Sequence, residues 1–283
     1  MHTHFDEIST RLFSPRLWSK FGSPQNLSPT GSSYQSPSGN PAFGFFDDFL
    51  SFHATSNEGP YLILEGAGCT VEQIADTATE KGLIKIALAG TDNLECGLQW
   101  GRGLGAPFKL SGNDLAFECR FSLSAITASK WDIGVGLGNV GMGVTDKFFV
   151  DTASSLATDA DFLGFAHLSA DATAAHLDGS YIVASGTHQD GDTKTKLNAL
   201  IQPVATTYVK AGFRYRAHPK TLEWYVDGAM PGGQIAPARL TTTEVAASSF
   251  PSGTFMAPIF VAKAQASTAL DIKVDWWACA QLE

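Results

Sequence analysis

Hydrophobic and polar residues alternate with a period of two along much of this chain. In Leu115 to Leu123, the residues Leu115, Phe117, Cys119, Phe121 and Leu123 share one parity, and Ala116, Glu118, Arg120 and Ser122 take the other. Such alternation predicts strands with one face on a core and one toward water, the arrangement antiparallel sheets permit. The pattern returns in Trp131, Ile133, Val135 and Leu137 against Asp132, Gly134, Gly136 and Gly138, and again in Val209, Ala211, Phe213 and Tyr215 against Lys210, Gly212, Arg214 and Arg216. Leu222 to Val226 alternates too and runs into Asp227-Gly228, a pair that supplies the positive φ angles of a tight turn. The last predicted strand, Ala269 to Gln281, sets Leu270, Ile272, Val274, Trp276 and Ala278 inside, with Asp271, Lys273, Asp275 and Trp277 outside. Only Val71 to Glu80 reads as a short helix. Many strands joined by Gly-bearing turns imply an all-β fold of two packed antiparallel sheets.

Residues 1 to 42 read differently. Pro15, Pro24, Pro29, Pro37 and Pro41 are scattered among Ser, Gly and Asn, a composition that cannot bury enough to fold alone. The expected organisation is an extended attachment arm over 1–42 and a sandwich domain over 43–283. The arm carries Phe5, Leu12, Phe13, Leu17, Trp18 and Phe21, which are costly to leave in water, so a partner is expected to cover them. A disordered tail with incidental aromatics is the alternative. Phe255 to Val261 is apolar on both parities, which fits either a surface for self-association or a central strand covered on both faces.

Composition agrees with strands. Across 283 residues, 44% are hydrophobic and only 17% charged, and Gly reaches 28 and Phe 19, a balance suited to sheets and turns. A formal net charge of -9 offers no field to gather phosphates, so no nucleic-acid partner is expected. No run approaches the roughly 18 apolar residues that span a bilayer. Met1 to Glu7 lacks the basic-then-apolar order of a signal peptide, so the expectation is a protein made in the cytoplasm with no membrane partner. Cys69, Cys96, Cys119 and Cys279 form no CxxC and read as free thiols.

Five segments carry a resemblance: FECRFSLS (117–124), WDIGVGLG (131–138), FLGFAHL (162–168), the pair from Tyr208 to Gly228, and Phe255 to Leu282. Their order resembles the concanavalin-like lectin and laminin-G-like jelly-roll sandwiches, particularly a version common among virion proteins of tailed bacteriophages. The resemblance implies that Phe43 to Phe52 is an opening strand paired with the last one.

Candidate chemistry is sparse. Glucan hydrolases of this shape set carboxylates as Glu-x-Asp-x-x-Glu on one strand face, and no such run exists; Asp271 and Asp275, with Lys273 between them, suit neither acid nor base. Asp159 with Asp161, and Asp190 with Asp192, are loop pairs that turn chemistry explains without calcium. The seven histidines show no ligand spacing, and there is no GxSxG elbow. No catalytic residue, metal or cofactor is therefore expected. Among Trp100, Trp224, Tyr225 and Trp277, the outward parities belong to Tyr225 and Trp277, which become candidates for a protein or glycan contact.

The reading these observations favour is a non-enzymatic phage virion protein, decorating or cementing the capsid surface as a homotrimer. Its contacts to the major capsid protein would run through Phe5, Phe13, Trp18, Phe21, Tyr225 and Trp277. The alternative is a carbohydrate-binding module or adhesin recognising host surface glycan.

Overall fold

The computed structural model describes residues 13–24, 27–49, 52, 59–66, 68–74, 82–90, 93–102, 105–141, 147–150, 154–170, 176–231, 238–265 and 269–283. Among these residues a short helix, α1 (Pro15–Trp18), precedes sixteen strands. The strands are β1 (Ser32–Gln35), β2 (Pro41–Asp47), β3 (Tyr61–Glu65), β4 (Thr70–Gln73), β5 (Ile84–Leu88), β6 (Glu95–Trp100), β7 (Phe108–Lys109) and β8 (Leu115–Leu123). They continue with β9 (Trp131–Asn139), β10 (Phe162–His167), β11 (Asp178–Ile182), β12 (Val209–Arg216), β13 (Thr221–Val226), β14 (Arg239–Leu240), β15 (Phe255–Ala264) and β16 (Leu270–Leu282).

Two antiparallel sheets result. The first has nine strands in the order β1-β2-β16-β8-β12-β13-β14, with β5 and β4 added beside the N-terminal half of β16. The second has seven, in the order β11-β10-β9-β15-β6-β3, with β7 beside the start of β15. The alternating residues read from sequence fill the space between them: Leu115, Phe117, Cys119 and Phe121 from β8 meet Ile133, Val135 and Leu137 from β9 in one core. The predicted pairing of the opening strand with the last is present, Phe45 lying opposite Cys279. Asp227 (φ 48°) and Gly228 (φ 84°) make the predicted tight turn.

Four expectations need correcting. First, Val71 to Gln73 belongs to strand β4 and not to a helix, because Val71 pairs with Ile86 of β5; residues 75–80 lie outside the described residues. Second, the parity of β16 changes part-way. Val274 lies opposite Phe121 and Trp276 opposite Arg120, so Asp275 is an extra residue with no place in the register with β8, a β-bulge. One inserted residue turns every later side chain over. Trp277 and Cys279 therefore join the main core, and Trp276, Ala278 and Ala280 face the other way.

Third, the described residues 13–24 and 27–42 are not an extended arm. Residues 13–21 fold around α1 as a strap across the outer face of the nine-stranded sheet, and Ser32–Gln35 forms its edge strand, β1, against β2. Fourth, of the two readings of Phe255 to Val261 the central strand is the one observed, and the self-association surface is the one corrected. Met256 and Phe260 point into the main core, and Ile259 and Val261 are covered on the outer face by Phe148, Phe149, Leu156 and Ala160. That covering closes Met256 to Val261 on both faces and leaves only Phe255, 57% exposed, open at the strand's start, so the two-sided apolar surface invoked for a trimer does not form.

Candidate functional site

The strap explains what the outward parities of β8, β12 and β13 are for. Glu118, Arg214, Glu223 and Tyr225 all sit on the outer face of the nine-stranded sheet, and all are buried there. Ser14 donates its backbone N–H to Glu118 Oε2 at 3.1 Å and its hydroxyl to Oε1, and the Trp18 indole N–H donates to Oε2 at 2.7 Å. Burial pushes the Glu118 carboxyl above its ordinary range, and these donors from the strap act against that rise. In return, Arg214 donates to the Arg16 carbonyl at 2.9 Å and to Ser19 Oγ at 3.2 Å. Arg214 is itself aimed by Glu223 at 2.8 Å, and Tyr225 donates to the same carboxylate at 2.9 Å. Burial alone would raise Glu223, but the bonds from Arg214 and Tyr225 hold it below the usual carboxylate range.

Four of the six residues singled out from sequence come together here. Phe13, Trp18, Phe21 and Tyr225 share one apolar cluster with Leu17, Leu27 and Trp276. Their cover is this chain's own strap and sheet. Tyr225 is 1% exposed, so the expectation of an open contact surface there is corrected: its outward parity holds, but the strap lies over it. Trp277 is 0% exposed and packs in the main core against Phe45, Phe49 and Tyr61, a consequence of the bulge. Trp100 stacks on Phe45 at 4.4 Å and is equally closed to a ligand. Phe5 lies outside the described residues.

Several other buried carboxylates tie loops to sheets. Glu95 accepts the N–H groups of Phe148 and Phe149 at 3.1 and 2.8 Å. Asp132 accepts Ser154 Oγ and the Ser169 N–H, and lies 3.3 Å from the fully buried Lys263 ammonium. Asp178 accepts the Gly191 and Ala199 N–H groups, and Asp161 accepts that of Ala184. Asp190 Oδ1 accepts the Asp192 and Thr193 N–H groups, as the turn reading of that loop expects.

One constellation was missed in the sequence. Ser180 Oγ lies 2.6 Å from His188 Nε2, and His188 Nδ1 lies 3.2 Å from Asp190 Oδ2, the order of a serine-hydrolase triad. Ser180 is 0% exposed, so its oxygen meets no substrate in this conformation, and burial lowers the His188 pKa. The chain of contacts holds the 187–193 loop beside β11, in line with the Tyr181–Gln189 bridge.

An open, mixed surface exists at one rim of the sandwich. A groove of about 470 Å³ is lined by Phe43, Pro107, Lys109, Ser111, Asn113, Phe255, Gln281, Leu282 and Glu283. It draws on β2 and β16 of one sheet and β7 and β15 of the other. Phe255 is 57% exposed, with the Lys109 ammonium 4.9 Å from its ring centre. Gln281 fixes the rim: its carbonyl accepts the Lys109 N–H at 3.1 Å and its amide donates to the Lys109 carbonyl. The Glu283 N–H donates to the Pro41 carbonyl at 2.9 Å. An exposed ring beside hydroxyl, amide, ammonium and carboxylate groups can meet a ligand having both an apolar face and many hydroxyls.

No protein-family model matches the sequence, and no curated protein matches it. Solved structures do match the fold. The metal-free carbohydrate recognition domain of Emp46p aligns with a TM-score of 0.50 at 12% identity, over 82% of this chain and 93% of that one. Basic winged bean lectin with Tn-antigen aligns with a TM-score of 0.50 at 10% identity, over 85% and 98%. The fold is the lectin-type jelly-roll sandwich. An endo-1,3-β-glucanase from Streptomyces sioyaensis aligns more loosely, with a TM-score of 0.48 at 8% identity over 90% and 97%, and nothing about activity follows from it. Among the described residues of this lectin-type sandwich, no three His, Cys, Asp or Glu side chains converge as a metal site.

Proposed function

We propose that this protein works by binding and not by catalysis, as a lectin-type module whose rim groove takes a saccharide. The observation that carries the reading is the exposed Phe255 ring set among Lys109, Ser111, Asn113 and Glu283. A pyranose lays its C–H face on an aromatic ring and spends its hydroxyls on such polar neighbours. The lectin neighbours support this by fold, one being described as a carbohydrate recognition domain and another as holding Tn-antigen. The non-catalytic half of the reading is supported by the carboxylates: Glu95, Glu118, Asp132, Asp161, Asp178 and Glu223 are each engaged in holding a loop, the strap or a neighbouring strand.

The test is a glycan array followed by titration of the best hit. Phe255→Ala should weaken that hit about tenfold, roughly the 1.4 kcal/mol of one lost ring contact. Equal binding by the variant would move the site elsewhere, and an array without hits would remove the saccharide reading.

A second reading sets the module on a tailed-phage particle, as a decoration or cement protein on the major capsid protein. It rests on the order of the five segments from Phe117 to Leu282. Of the attachment arm this second reading invokes, residues 13–21 and 32–35 are committed to this chain's own sheet. Co-sedimentation of the full chain with empty capsids tests it, and a chain left wholly in the supernatant counts against it.

A further inference from the structure

We infer that the outer face of the seven-stranded sheet is built to join Lys263 to Asp132 by an amide bond, a covalent tie between β15 and β9 formed with loss of one water. The inference stands apart from the saccharide reading. The reaction is a single turnover within the chain, with no external substrate.

Strand register sets three groups in a row. Lys263 of β15 lies opposite Asp132 of β9 on one side and opposite Glu95 of β6 on the other. Residues directly opposite on paired strands share a face, so an amine stands between two carboxyls on the same side of the sheet. All three are buried, Lys263 and Asp132 at 0% exposure. Phe148 and Phe149 cover this face beside Ile259 and Val261, and the Lys263 Nζ is 5.8 Å from the Phe149 ring centre. A wholly buried ion pair gains little over the cost of desolvating its two charges, whereas an amide in its place carries none.

The reacting atoms are already positioned. Nζ lies 3.3 Å from Asp132 Oδ2, an atom bonded to the carbon it would attack. Asp132 Oδ1 accepts the Ser154 hydroxyl at 2.8 Å and the Ser169 N–H at 2.7 Å, two donors placed to stabilise the oxyanion of a tetrahedral intermediate. The Gln265 amide donates to Oδ2, the oxygen that departs. The Val150 carbonyl accepts from Nζ at 2.5 Å and so fixes the end of the lysine.

The step balances without a co-reactant. The Nζ–Cγ bond forms and the Cγ–Oδ2 bond breaks. Of the three ammonium protons, one stays on the amide nitrogen and two leave with Oδ2 as water. The first crosses the short contact to Oδ2, giving a neutral amine and a carboxylic acid; after attack, Glu95 takes the second from nitrogen and returns it to the departing hydroxyl. Burial raises the Glu95 carboxyl above its ordinary range, which suits a proton carrier, and the Phe148 and Phe149 N–H groups hold it in place. Fixed geometry in a dry site supplies the drive, since well-oriented intramolecular reactions reach effective molarities of about 10⁵–10⁸ M.

The intact mass of the denatured full chain tests the proposal. A linked chain is lighter than its sequence by one water, and its tryptic digest holds the peptides of Asp132 and Lys263 joined to each other. Lys263→Met should show the full sequence mass. Glu95→Gln, which keeps the length of the side chain, should also show the full mass, with the far-ultraviolet dichroism of the parent. Should either variant fail to fold, the peptide map of the parent decides alone. A parent at the full sequence mass overturns the proposal. So does a water lost within one linear peptide, as a succinimide at Asp227-Gly228 would show. A Glu95→Gln chain linked as completely as the parent overturns the part given to Glu95.

Discussion

A chain lacking residues 1–24 is expected to be strongly destabilised and to associate through the face it uncovers. Deletion removes the burial of Phe13, Leu17, Trp18 and Phe21 and strips cover from Tyr225 and Trp276. Truncating one buried large aromatic to alanine costs about 3–5 kcal/mol, and the strap contributes three such rings. One effect opposes the loss: Glu118, whose carboxyl burial now pushes up, regains water when its donors Ser14 and Trp18 go. That relief concerns a single carboxylate and does not match four apolar side chains. Urea unfolding of the fragment beside the full chain measures the difference. An unchanged midpoint would mean that the strap adds nothing to stability, as a free attachment arm would.

Trp277→Ala is expected to cost about 3–5 kcal/mol, the loss typical of a fully packed large aromatic. The ring lies within 6.0 Å of the Phe45, Phe49 and Tyr61 rings, so its removal opens a void among groups that are themselves fixed. Tyr61 also donates to Asp47, whose pKa burial pushes up to about 6, and a shift of Tyr61 into the void would weaken that bond. The outward parity read from sequence makes the opposite forecast, a surface-like change below about 0.5 kcal/mol. Thermal and urea unfolding of this one variant therefore decide whether the bulge at Asp275 exists.

How far the sequence could be read depended on how local each cause is. β8, β9 and β12 were legible because alternation is written in neighbouring residues, and the core positions Phe121, Val135 and Phe213 followed from it. β16 was legible only to Val274. Its bulge arises from pairing with Arg120 on another strand, and nothing within Leu270 to Leu282 announces the added residue. The strap was misread for a related reason. Its proline-rich setting suggested a chain unable to fold alone, which is so, but the surface that folds it lies about a hundred residues away at Glu118 and farther still at Arg214. A signal was present: Phe13, Leu17 and Phe21 recur every four residues, the spacing of one helical face. Parity reasoning also set Glu118 and Arg214 toward water as ordinary charges. The rim groove was beyond reach altogether, since Phe43, Lys109, Phe255 and Gln281 meet only when two sheets close on each other.

The central claim, recognition of a saccharide at the rim, is tested most directly by hydrogen exchange of the full chain with and without the tightest glycan from the array. Slower exchange is expected over residues 105–113, 255–256 and 281–283, the segments that line the groove, with little change at residues 187–193 beside Ser180 and His188. Protection confined to the Ser180 and His188 region, or spread over another face with the groove untouched, would contradict the account.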